Sequence, residues 1–265
     1  MIYNENDVNT LIKRRREVVF LVLTGLFLGS LVMLNILGVS RFIDFSDYVG
    51  IPEGSAISFS LAIGVLPYPI TFLCTDFISE IYGRKRANTV VWVGLLLNIW
   101  VLFIIWFGGW LDAPETLQAD GTLSIGIKEG KAVVPQGYAF YAIRSLAFGA
   151  TLASMIAYLT AQFVDVHIFH FLKRRTKGKK MWLRNNASTL MSQLIDSIAV
   201  ILITHYFVSG IPIDPDKSTN LQLLSFIISA YLFKAIVALI DTVPFYFGSK
   251  YLKRYLKVED EISAD

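Results

Sequence analysis

The sequence predicts an all-α, polytopic membrane protein with six transmembrane helices and both termini in the cytoplasm, and three observations predict it. Of the 265 residues 54% are hydrophobic and the mean hydropathy is +0.55, too apolar and too evenly so for a soluble domain of this length. Six runs are each long enough to cross a hydrocarbon core of about 30 Å as a helix. The basic residues collect at alternate ends of those runs, as they do where cytoplasmic loops are marked by Lys and Arg.

In chain order the spans are expected near residues 17–39, 57–82, 87–110, 146–172, 187–208 and 221–247. The first follows a polar stretch ending in Lys13-Arg14-Arg15-Arg16; it is too long for a signal-peptide core and no small-residue cleavage pattern follows, so it is expected to stay. Residues 136–145, with Arg144, read as an interfacial helix leading into the fourth span. The connection 112–137, with Asp120-Gly121 and Gly126 as turn formers, reads as a loop or short hairpin. One membrane domain is expected over 1–265, with cytoplasmic tails at 1–16 and 251–265 around a core at 17–250, the acidic end at 259–261 fraying. Eighteen positives fall on the expected inner side (four before the first span, three at 84–86, seven at 173–184, four at 250–257) and four outside (Arg41, Lys128, Lys131, Lys217).

Charge inside the spans is the functional signal. Residues 66–86 run from a double-proline break, Pro67 and Pro69, past Asp76 and Glu80 one turn apart, into Arg84-Lys85-Arg86. A carboxylate near the bilayer centre costs about 2.5–3.5 kcal/mol on insertion scales, so Asp76 needs a partner, a cavity or a ligand. Asp165 precedes Lys173 by eight residues, as Asp76 precedes Arg84, and Asp241 precedes Lys250 by nine, so the three lie at one depth. Asp196, twelve residues past Arg184, lies deeper. Only Lys234 and Arg144 are cations within reach of the spans. Each acid alone could be half of a structural ion pair, but the surplus favours a site for a cationic or donor-rich ligand, or for protons.

Companion residues extend that reading. Tyr158, Gln162, Asp165 and Phe169 share one face of the fourth span, and Thr189, Gln193 and Asp196 one face of the fifth, so a Gln-Xaa-Xaa-Asp pair occurs on two helices. Lys234 is expected to reach an acid on a neighbouring helix or the ligand itself, with Asp241 a candidate to hold it. The prolines should kink or unwind the second span, which is tolerated where backbone lines a cavity. Tyr68, Phe72 and Tyr158 are placed to stack on a flat ligand.

Other classes are disfavoured. His167 and His170 beside Asp165 lack further ligand spacing, so neither metal nor cofactor is expected. His205 reads as an interfacial side chain, and Cys74, the single cysteine, has no partner for an intrachain disulfide. There is no Gly-rich phosphate loop for nucleotide hydrolysis. Topology accounts for the net charge of +3, so no nucleic-acid partner is expected. Two membrane aspartates raise an intramembrane aspartyl protease, but the Gly-Xaa-Gly-Asp context is absent at Asp165 and Asp196. The chain does not read as an enzyme.

Three blocks, in order, resemble the signature of the queuosine precursor transporters, also called the vitamin uptake transporter family. They are Thr75-Asp76-Phe77-Ile78-Ser79-Glu80-Ile81-Tyr82-Gly83-Arg84-Lys85-Arg86-Ala87, Gln162-Phe163-Val164-Asp165-Val166 and the run from Trp182-Leu183-Arg184-Asn185-Asn186 to Gln193-Leu194-Ile195-Asp196. The resemblance covers nearly everything from residue 18 to 250. It implies a six-helix carrier of the cell inner membrane that imports 7-deazaguanine bases, such as the 7-cyano and 7-aminomethyl forms or queuine, for queuosine modification of tRNA. The family's Phe-Pro-Xaa-Thr-Phe reads Tyr68-Pro69-Ile70-Thr71-Phe72 here, and Ser197 stands where Thr is expected; both departures bear on ligand preference.

The chemistry suits such a ligand. A guanine-like edge offers adjacent N–H donors to a carboxylate, an aminomethyl group adds a cation for a second carboxylate, and the ring stacks on aromatics. Asp165 and Asp196, each with its Gln, are the expected recognition pair, with Asp76 next. The expected partners are the small molecule and the lipid bilayer, and a homodimer is left open. The alternatives within transport are a carrier of another vitamin-like heterocycle, or a substrate-binding subunit energised by separate ATPase partners.

Overall fold

The structure, a computed structural model, describes residues 5–38, 40–52, 55, 57–111, 123, 125–128, 131–135, 137–176 and 181–258. The helices among them are α1 Glu5–Leu37, α2 Tyr68–Tyr82, α3 Arg84–Trp110, α4 Tyr138–Arg175, α5 Met181–Ile203 and α6 Thr219–Tyr255. α5 runs on into a π-helical turn, Thr204–Val208, and α6 carries Pro244 inside it. Two short antiparallel ribbons complete the order: β1 (Phe42–Asp44) with β2 (Ser60–Ala62), and β3 (Gly126–Lys128) with β4 (Lys131–Val133), Lys128 opposite Lys131. The second ribbon is the hairpin expected in the 112–137 connection.

Apolar runs become helices in a bilayer because no water there can satisfy a free peptide group. Among the described residues five helices are long and apolar enough to cross: Asn9–Leu37, Lys85–Trp110, Tyr138–Ala161, Thr189–Val208 and Thr219–Tyr255. The second expected span is not such a helix. Residues 57–67 are β2, a 3-10 turn at Ile63–Val65 and a break, and α2 has only 15 residues, a rise of about 22 Å. The cause is local. Pro67 caps α2 and Pro69 sits in its first turn; rings without N–H can open a helix but not let one run through them from upstream.

The chain before that break is held by strand pairing and a close approach. Ile63 N–H donates to Arg41 O (2.8 Å) and Gly64 N–H to Gly38 O (3.0 Å). A Cβ on Gly64 would lie 2.7 Å from Leu34 O, so only glycine lets the segment pass the end of α1. At the ribbon's turn Asp44 accepts from Ser46 N–H (2.8 Å) and from the Ser46 hydroxyl, which in turn accepts from Phe59 N–H (2.9 Å). Burial works to raise the Asp44 carboxyl, but the bonds from Ser46 and Ser60 outweigh it and hold it below its ordinary value.

Two further differences from the sequence expectations concern helix ends. α1 starts at Glu5 and takes the basic run into the helix, and residues from Tyr138 join α4 without a separate lead-in helix. The acidic end at 259–261 and most of the 112–137 connection lie outside the described residues.

The chain divides into two compact units: Met1–Met33 with Pro67–Asn98 and Ile236–Asp265, and Leu34–Leu66 with Ile99–Ala235. The first unit is built around Leu23 and Phe27 of α1, Cys74, Phe77, Ile78 and Ile81 of α2, Ala87 and Val90 of α3, and Leu256. Arg16 closes one end by donating to Leu256 O and Lys257 O, the unpaired carbonyls past the end of α6, while Tyr82 OH donates to Arg16 O (2.7 Å). In the second unit α4 lies along α5, and Ala147, Ala150, Ala153, Ala157 and Ala161 are buried on α4. Small side chains permit close helix approach where apolar association has no water to drive it.

Candidate functional site

In the second unit, α5 and α6 bring two buried charges together. Lys234 Nζ lies 2.5 Å from Asp196 Oδ2, with Lys234 4% and Asp196 6% exposed. A buried ion is tolerated only when paired and hydrogen-bonded, so each side chain is the condition for the other. The surroundings are polar as well. Ser192 and Ser197 are buried on α5, and Gln193, one turn before Asp196, has a buried Oε1 that accepts no hydrogen bond. Toward the start of α6, away from Lys234, Ser229, Ser225 and Gln222 are buried at helical spacing; Gln222 holds the turn before the helix, accepting from Asp214 N–H and donating to Asp214 O and Lys217 O, and Ser229 Oγ donates to Ser225 O (2.7 Å) and to Ser58 O (3.3 Å), just before β2. Thus the non-helical stretch before Pro67 is tied to α6 by its backbone.

Lys234 therefore meets the expectation of reaching an acid on a neighbouring helix, and that acid is Asp196 in place of Asp241. The reason is rotational: residues seven apart on α6 lie two turns along one helix, whereas a facing helix can present a carboxylate at the level of the ammonium. Gln162 and Asp165 belong to α4 in the same unit, but their side chains lie outside the described residues, as does that of Phe169. Tyr158, two turns before Asp165 on α4, is exposed.

The first unit holds the remaining candidates. Tyr68 and Phe72 form an edge-to-face pair, 5.2 Å between centroids, on the first turns of α2. Asp76 follows with accessible surface and within electrostatic reach of Asp241, whose Oδ2 is buried without a hydrogen-bond partner. Glu80 pairs with Lys253 of α6 at 2.5 Å, both partly exposed. Among the described residues no cluster of His, Cys, Asp and Glu could hold a metal ion.

Sequence reasoning missed the buried polar face at the start of α6 and the part of Arg16 as a cap on its end. Gln222, Ser225 and Ser229 carried a legible signal, three polar residues at spacings of three and four in an apolar helix. For Arg16 there was none beyond its place in a basic run.

A family described as "Putative vitamin uptake transporter" matches residues 62–248, the stretch that carries every candidate residue from Tyr68 to Asp241. The chain belongs to this family. It is a multi-pass membrane protein of a transporter family, with five helices among the described residues long and apolar enough to cross. Curated relatives agree. The chain is 24% identical over 207 residues to the queuosine precursor transporter of Escherichia coli (strain K12), covering 76% of this chain and 78% of that protein. It is 26% identical over 189 residues to the probable queuosine precursor transporter of Bacillus subtilis (strain 168), covering 71% of each. It is also 26% identical over 190 residues to the probable queuosine precursor transporter of Haemophilus influenzae, covering 71% and 68%. No solved structure matches the chain significantly.

Proposed function

We propose that this protein imports queuosine precursors, 7-deazaguanine bases such as the 7-cyano and 7-aminomethyl forms or queuine, across the cell inner membrane for tRNA modification. The names of three relatives, each matched over most of its length, support the substrate class. The observation that carries the chemistry is the buried Asp196–Lys234 pair beside the unsatisfied Gln193 Oε1. A guanine edge presents an oxygen acceptor next to N–H donors. Lys234 supplies the donor to that oxygen, and Asp196 and Gln193 supply acceptors to the donors. While the site is empty, Lys234 keeps Asp196 from standing as an uncompensated charge. Asp165 with Gln162 is the second acid–amide pair, suited to an aminomethyl cation, and Tyr158 the stacking surface.

Asp76 and Asp241, as a separate pair of acids, are assigned to a coupling proton or cation; Tyr68, Phe72 and Glu80 support α2 around Asp76. The six-span topology with both termini inside belongs to the same reading, α2 making the second crossing. The eighteen-to-four distribution of positive charge supports it.

Uptake of a labelled 7-deazaguanine into proteoliposomes holding only this protein tests the reading. Saturable uptake, inhibited by unlabelled deazaguanines and not by unrelated vitamins, is expected. Competition by another vitamin instead would favour the broader family description, and uptake only with an added ATPase would make the chain a binding subunit.

A further inference from the structure

A second polar feature of the second unit lies apart from the buried pair. Arg144, six residues into α4, lines a recess of about 380 Å³ with Trp106 of α3, Ser145, Phe148 and Gly149 of α4, and Phe207 and Val208 of the π-helical turn. Among the described residues no carboxylate pairs with Arg144, and the ion pairs found among them involve Lys217, Lys234 and Lys253. The guanidinium lies against α3 where Gly109 has no side chain: a Cβ on Gly109 would run into the Arg144 guanidinium. Glycine at 109 thus leaves the room that the guanidinium occupies beside the recess. Its outer wall is aromatic and open, with Phe207 84% and Trp106 49% exposed. Trp106 belongs to a ladder of exposed rings along α3, Trp100, Phe103, Phe107 and Trp110.

We propose that this recess binds the phosphodiester head group of a membrane phospholipid, with Arg144 holding the phosphate and Phe207 and Trp106 packing on the first carbons of an acyl chain. Three facts converge. The recess lies within the last turns of α3 and of the π-helical extension of α5 and the first turns of α4, about 9 Å along α4 from Tyr138, which is head-group depth for helices that cross. A planar guanidinium takes a phosphate through two parallel hydrogen bonds. The walls on the lipid side are apolar rings of the kind found at membrane interfaces. Val208 is twelve residues past Asp196, roughly 18 Å along the helix, so the recess is not the Asp196–Lys234 site.

The test is native mass spectrometry of the full chain released from bilayers of defined composition. From phosphatidylglycerol or phosphatidylethanolamine bilayers the protein should keep one phospholipid through mild delipidation. With diacylglycerol, which lacks the phosphate, it should keep none. Arg144→Gln should lower retention roughly ten- to hundredfold, the weight of a charge-assisted pair, and Arg144→Lys less. Phe207→Ala, at a side chain the fold does not bury, should also lower it and carries the test if Arg144→Gln fails to assemble. Wild type without a retained lipid, equal retention in Arg144→Gln, or, where that variant fails to assemble, in Phe207→Ala, or displacement by millimolar inorganic phosphate alone would overturn the proposal, the last in favour of a soluble anion.

Discussion

Lys234→Met should expose how strongly the buried pair binds the second unit together. With both side chains under one-tenth exposed and 2.5 Å apart, removing the ammonium strands the Asp196 carboxylate without its counterion. Breaking one side of a buried pair costs about 3–5 kcal/mol. In a chain of this size each kcal/mol moves the melting midpoint about 2–4 °C, so a fall of roughly 6–20 °C is expected. Asp196→Asn combined with Lys234→Met removes both charges and should recover most of that loss, because replacing both partners is close to neutral. Uptake should stay lost in the double variant if the pair also holds the ligand. Thermal unfolding of the purified proteins in one detergent, followed by intrinsic fluorescence, reads the stability half. Equal midpoints for wild type and Lys234→Met, or a double variant falling as far as the two single losses added together, would refute the reasoning.

Asp165→Asn should weaken 7-deazaguanine binding about tenfold to a hundredfold while inserting normally, since an amide is easier to bury than a carboxylate; Asp196→Asn should weaken it as much but also lower the melting midpoint, because it strands the buried Lys234 ammonium, and unchanged affinity in both would move the search to Asp76. Lys253→Gln should shift stability by no more than about 1 kcal/mol, because its bridge to Glu80 is partly exposed; a larger shift by the same thermal assay would show that the bridge is not screened. Asp44, its carboxyl held below 3.8, contributes stability that is full above that value and fades as pH falls through the lower folded value. Amide-exchange protection at Ser46, corrected for intrinsic rates, should follow that fall in wild type and be flat in Asp44→Asn. Cysteine probes at Gly121 and Lys177 report topology: external labelling is expected at Gly121 only, and labelling at Lys177 instead would reverse it.

What the sequence by itself determined is what depends on composition along the chain. Apolar length specifies a helix in lipid because each helix satisfies its own backbone, so five long helices were legible before any neighbour was known. The family blocks were legible for the same reason, being runs of adjacent residues. Hydropathy alone misread residues 57–67, although the signal was present: Pro67 and Pro69 forbid a helix from upstream, and only the pairing of β1 with β2 and the Gly64–Gly38 approach show what replaces it. Which acid meets Lys234 was not legible. Four aspartates stood inside the spans, three at one depth by counting and Asp196 deeper, and depth is all that counting along separate helices supplies. The choice of Asp196 depends on how α5 and α6 are rotated against each other, a property of packed side chains that no single helix contains.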